Sequence, residues 1–142
     1  GMPIIRYRTR DMTRFLPGPC PCGRIHRRID RLHGRCDDML IVKGVNIYPM
    51  QIERILMAMP EVGQNYLIVL DNDGAMDQIK VKVEIRAEHF TEDTRALTAL
   101  QKKIASRLRD EILVTPRVEL VEHNSLPRSE GKAKRVLDNR SQ

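Results

Sequence analysis

Apolar positions recur along this chain in distinct periods, and each period predicts a different element. Behind Pro49, a residue the first turn of a helix tolerates, Ile52, Ile55, Leu56 and Met59 fall at helical spacing up to Pro60. Ile79, Val81, Val83 and Ile85 alternate with Lys80, Lys82, Glu84 and Arg86, the pattern of a half-buried strand. Tyr66–Leu70 is a continuous apolar strand, and Asp71-Asn72-Asp73-Gly74 is a turn that pairs the two strands as a hairpin. The longest helix is predicted over 91–113, with Leu97, Leu100, Ile104, Leu108 and Ile112 on one stripe and Thr91 or Asp93 as cap. Met39–Val42, running up to Gly44, and Val118–Val121, after Pro116, are short strands. The order β-α-β-β-α-β predicts an α+β domain, a small antiparallel or mixed sheet with helices on one face. Leu126–Arg140 reads as polar, basic and exposed.

The pattern changes near residue 36. Before it, Ile4–Arg8 and Met12–Leu16 are short extended stretches, and Arg24–Leu32 is Arg-rich and weakly extended. Between them, Pro17-Gly18-Pro19-Cys20-Pro21-Cys22-Gly23 suits neither a helix nor a central strand. Too few apolar residues recur on one face to bury a core. Residues 1–36 therefore read as the tail of a larger domain, and residues 37–142 as a domain with its own core.

Composition sharpens this division. The 142 residues are 41% hydrophobic with no Trp, so the core must be aliphatic and Met-rich. The net charge of +6 is local: residues 1–36 hold nine Arg, no Lys and two acids, while the remainder is nearly neutral. Arginine without lysine favours planar, two-point recognition of phosphates or carboxylates. A nucleotide and a nucleic acid are both candidates, and so is a solvated arginine face. No apolar run approaches the roughly 18–20 residues of a membrane span, and no signal peptide opens the chain. Three cysteines make no disulfide framework, which sets the expectation of a reducing cytoplasm. Cys20 and Cys22 stand at a spacing that lets two thiolates reach one Zn²⁺, with His26 or Cys36 nearby. A closed site needs four ligands, and reduced cysteines in a Pro-rich turn are the simpler alternative.

Other motif matches fail. Asp71-Asn72-Asp73-Gly74 brings its glycine too early for a calcium loop, and Gly131-Lys132 lacks the flanking residues of a phosphate-binding loop. Three segments are more specific together. They are Tyr7-Arg8-Thr9-Arg10-Asp11; Gly34-Arg35-Cys36-Asp37-Asp38-Met39-Leu40, leading to Gly44 and Asn46-Ile47-Tyr48-Pro49; and Leu126-Pro127-Arg128-Ser129-Glu130-Gly131-Lys132-Ala133-Lys134-Arg135. Their order and spacing resemble the last third of the adenylate-forming acyl-CoA synthetases, in particular the phenylacetate–CoA ligase branch with its coenzyme F390 synthetase relatives.

This resemblance implies roles residue by residue. Asp11 matches the acid that holds the ribose hydroxyls of ATP, and Arg35 an arginine near the ribose and phosphates. Asp37 matches the hinge on which a small C-terminal lid (37–142) pivots against a large N-terminal adenylation domain, of which 1–36 would be the end. Gly44 matches a loop lining the pantetheine tunnel of coenzyme A. Lys132 matches the lysine that reaches the α-phosphate and the acyl carboxylate, with Lys134 as competitor for the role. Where most of the superfamily has glycine before the ribose-binding acid, this chain has Arg10, a feature of the phenylacetate ligase branch. The implied parent joins a carboxylic acid to coenzyme A with ATP and Mg²⁺, in the cytoplasm, touching neither membrane nor nucleic acid. Oligomer formation is left open, and alone the chain is expected to be inactive. The rivals are an adenylating ligase with another acceptor and a non-catalytic nucleic-acid-binding module.

Overall fold

The computed structural model describes residues 5–72, 74, 76–90, 93–127 and 135–140. Contacts divide the chain into two compact units, Gly1–Met39 and Leu40–Gln142.

The first unit is an irregular antiparallel ribbon. Strands β1 (Asp11–Met12) and β2 (Gly34–Arg35) pair Asp11 with Arg35 and Met12 with Gly34. Backbone bonds from Cys36 N–H to the Arg10 carbonyl, His33 N–H to Met12 and Asp30 N–H to Arg14 continue the ribbon on either side. A single bridge joins Phe15 to Ile29. At the tip, the Gly23 N–H closes a turn on the Cys20 carbonyl. No described residue of this unit is fully buried, and Ile5, Tyr7, Phe15 and Ile25 are exposed. The extended stretches predicted here shrink to two-residue strands, because no second layer covers them.

The second unit carries the core. A small hairpin of β3 (Leu40–Val42) and β4 (Val45–Ile47) precedes helix α1 (Pro49–Met57). The Gln51 side chain accepts the otherwise orphaned Tyr48 N–H, closing the helix start behind Pro49. Strands β5 (Val62–Asn72) and β6 (Asp77–Ile85) form the predicted antiparallel hairpin, longer at both ends than the apolar runs alone suggest. Helix α2 spans Thr94–Ile112, with the Asp93 carboxylate accepting the Arg95 N–H as N-cap. Strand β7 (Arg117–Val121) then pairs parallel with β6, and β8 (Val136–Asp138) parallel with β5. The four-stranded order is β7-β6-β5-β8. Ile52 and Leu56 of α1 join Ile104, Leu108 and Ile112 of α2 in one cluster with Ile68, Leu70, Val81 and Val83. The architecture is α+β, a mixed sheet with two helices sharing its core.

Three expectations need correction. Among the described residues, the strand of the Met39–Val42 run pairs with β4 and not with the main sheet, although Val42 and Ile47 reach the core. Leu126–Arg140 is not wholly an exposed tail. The Ile68 N–H donates to the Arg135 carbonyl and the Asn139 N–H to Leu70, which adds β8 to the sheet edge through backbone bonds that side-chain periodicity does not reveal. Glu84, placed on the solvent side of β6 by alternation, is fully buried. Among the described residues, no helix is long and apolar enough to cross a membrane.

Candidate functional site

The ladder between β1 and β2 sets Asp11 directly opposite Arg35, so their side chains share one face of the ribbon. Arg35 Nη1 stands 3.8 Å from Asp11 Oδ1, while its Nε and Nη2 hold both oxygens of Asp37, at 3.0 and 2.9 Å. Arg10 Nη1 reaches the same Asp37 carboxylate at 3.4 Å. These residues, with Tyr7, Arg8 and Thr9, line an open cleft of about 570 Å³. The paired arginine holds Asp37 well below the ordinary carboxylate range, to about 2, and Asp37 in turn raises Arg35 further above its usual value. The fork of Arg35 is thus committed to Asp37, and Asp11 presents its carboxylate to the cleft beside three guanidinium groups. A carboxylate with two acceptor oxygens suits a vicinal diol, and the arginines suit an anion attached to it.

Backbone strain coincides with the cleft. Arg10 has φ of 65°, in the left-handed region where glycine costs least. That conformation explains why a glycine would fit immediately before the acid. Here the arginine side chain bonds Asp37 instead, a partnership that residue type alone could not reveal.

The remaining sequence-predicted residues lie elsewhere. Gly44, in the second unit, turns the β3–β4 hairpin with φ of 76° after Lys43 at 51°. A Cβ added to Gly44 would meet no atom of the described residues within 4 Å, so the backbone conformation, rather than crowding among those residues, calls for glycine. Cys20 and Cys22 bring their sulfurs to 2.9 Å, and a hydrogen bond from Cys20 is the main cause that lowers the Cys22 thiol from its usual value. No group of three or more His, Cys, Asp or Glu able to hold a metal exists among the described residues, so neither His26 nor Cys36 completes a zinc site there. Lys132 and Lys134 lie outside the described residues.

The cleft of the first unit sets a carboxylate beside guanidinium groups, and the α+β architecture of the second unit is that of the C-terminal domain of adenylate-forming ligases. Residues 44–140 match the model of the AMP-binding enzyme C-terminal domain, and the chain belongs to that family. The phenylacetate–coenzyme A ligase of Thermus thermophilus is 41% identical over 97% of this chain and 34% of its own length. A solved domain of the phenylacetate–coenzyme A ligase from Bacteroides vulgatus is 48% identical, covers 74% of this chain and 95% of its own, and has a TM-score of 0.67. A 2-hydroxyisobutyryl-CoA ligase, solved in the postadenylation state with an acyl-AMP bound, is 34% identical over 93% of this chain and 28% of its own, with a TM-score of 0.80. The chain spans about a third of the length of the curated relatives it matches.

Proposed function

We propose that this chain is the C-terminal part of an ATP-dependent acid–CoA ligase of the phenylacetate–CoA ligase type. Residues 1–36 would end a large adenylation domain, supported by the lack of any fully buried described residue there. Residues 37–142 would form the mobile C-terminal domain, turning about Asp37. In the first half-reaction a carboxylate oxygen of the acid attacks the α-phosphorus of ATP and pyrophosphate departs, leaving acyl-AMP. In the second, the thiol sulfur of coenzyme A attacks the acyl carbon and AMP departs. Asp11 accepts the ribose hydroxyls, Arg35 orders the cleft beside them through Asp37, and Lys132 supplies a positive charge between α-phosphate and carboxylate. Mg²⁺ would travel with the ATP phosphates. Gly44 keeps the β3–β4 turn tight where the pantetheine arm passes in the second half-reaction. Three free thiols suit a cytoplasmic setting.

The observation that carries this reading is the cross-strand pairing of Asp11 with Arg35 inside the matching motifs. Its test is acid-dependent exchange of pyrophosphate into ATP by the full-length ligase, followed by CoA-dependent thioester formation. Asp11→Ala should abolish the exchange; exchange that survives the substitution contradicts the ribose role. Acyl-AMP that forms but passes to another acceptor would select the coenzyme F390 synthetase-like alternative.

A further inference from the structure

Arg140 has no part in the chemistry proposed above, yet its side chain joins three strands of the second unit. Its Nε and Nη2 donate to the two oxygens of Asp138, the last residue of β8, at 2.9 and 2.8 Å. Its Nη1 donates to Asp77, the first residue of β6, at 3.0 Å and to the backbone carbonyl of Ile41, in β3, at 2.6 Å. The neighbouring residue holds the end of β8 to β5: the Asn139 N–H donates to the Leu70 carbonyl and its Nδ2 to Asp71, both at 2.8 Å. The Arg140 side chain is 20% exposed, and its hydrogen bond is the main cause that keeps the Asp138 carboxyl below its ordinary value. Two-point pairing with one carboxylate fixes the plane of a guanidinium, and here that plane aims Nη1 at Ile41.

The strand that Arg140 reaches leads into the Lys43–Gly44 turn, whose closing pair is Val42 with Val45. In a hairpin with a two-residue turn, the next pair, here Ile41 with Asn46, points its backbone groups away from the partner strand. The Ile41 carbonyl is therefore an edge acceptor three residues before Gly44, and Arg140 supplies its donor. Among the described residues, β3 and β4 bond to each other and not to the four-stranded sheet. Their apolar hold is one-sided: Val42 and Ile47 are fully buried, while Ile41 is half-exposed. Apolar burial keeps the hairpin on the core but is non-directional. The bonds of Arg140 are directional, and they tie β3 to β6 and β8 beside the turn.

We propose that Arg140 is a positioning residue that sets the Lys43–Gly44 turn for the second half-reaction, the attack of the coenzyme A thiol on acyl-AMP. The proposal rests on the pantetheine role given to Gly44 above. Arg140→Ala, Arg140→Lys, Gly44→Ala and Gly44→Phe are compared in the full-length ligase. Both half-reactions, thermal unfolding and hydrogen–deuterium exchange across 40–47 are measured. Arg140→Ala should lower kcat/KM for coenzyme A at least tenfold with preformed acyl-AMP, leave acyl-AMP formation within about twofold, and speed exchange across 40–47. Arg140→Lys should recover less than half of the loss, because one ammonium cannot hold Asp138 at two points and also reach Ile41. Full recovery by lysine would mean that charge suffices without the fork, and it overturns the proposal. So does unchanged exchange across 40–47, or no loss in Arg140→Ala. A merely structural role would lower both half-reactions together, in step with the folded fraction, and that result overturns it too. Should Arg140→Ala fail to fold, the part-exposed Asp138→Asn, which keeps the arginine but loosens its grip, decides by the same split. Gly44→Ala and Gly44→Phe share the backbone strain and differ in bulk. If phenylalanine slows thioester formation no more than alanine, the pantetheine reading has failed; if it does slow it while Arg140→Ala does not, only the positioning has failed.

Discussion

Arg35 grips Asp37 at two points, Nε to Oδ1 at 3.0 Å and Nη2 to Oδ2 at 2.9 Å, and so ties the end of β2 to the residue proposed above as the hinge. Two parallel charge-assisted bonds fix geometry as well as charge, yet the pair is solvent-exposed, where screening keeps its contribution to stability small. Its worth lies in orienting Arg35 beside Asp11.

This grip has a titration signature. The Asp37 carboxyl is lowered from 3.8 to about 2, chiefly by its hydrogen bond from Arg35. A lowered carboxylate contributes stability above its unfolded value and loses it as pH falls through the folded one, here between about 4 and about 2. Carboxyl NMR of Asp37 should show a midpoint near the lower figure, and Arg35→Ala should return it toward the ordinary range. An unchanged midpoint in the variant would mean that Arg35 is not the cause.

The β3–β4 turn makes a stability prediction. Gly44 has φ of 76°, so Gly44→Ala should destabilise the second unit by about 1–2 kcal/mol in denaturant unfolding, with no steric clash involved. Lys43 sits at φ of 51° in the same turn, and Lys43→Gly should cost nothing or stabilise slightly. Equal losses at the two positions would contradict a turn held by left-handed backbone.

A hinge at Asp37 predicts a split between half-reactions. Asp37→Pro fixes φ near about −65° and should trap one orientation of the C-terminal domain in the full-length ligase. Asp37→Ala removes the carboxylate without that restriction and serves as control. One half-reaction should fall far more in the proline variant than in the alanine one; parallel losses count against a hinge at this residue.

The legibility of the chain was uneven for physical reasons. Both helices and the β5–β6 hairpin were readable because Ile52, Leu56, Ile104 and Leu108 repeat at the helical period, and Ile79, Val81 and Val83 at the strand period. Strand β8 was not, since Val136–Asp138 is three residues long and joins the sheet through backbone groups that every residue carries. Glu84 was misplaced because alternation reports which face of β6 it occupies, while its burial depends on the Leu126 turn, 42 residues away in the chain. At the cleft, Asp11 and Arg35 could be named from their motifs, but the Arg10–Asp37 bond depends on a left-handed backbone at Arg10 that an arginine does not advertise.

The most direct measurement of the central claim compares Lys132→Ala with Lys134→Ala in the full-length ligase, with each half-reaction followed separately. Lys132→Ala should lower acyl-AMP formation by on the order of 10²–10³, the loss expected from removing one preorganised electrostatic contact. Thioester formation from preformed acyl-AMP and coenzyme A should stay nearly intact, and Lys134→Ala should do much less in both. Adenylation that survives both substitutions would contradict the assignment of this chain to the adenylating step.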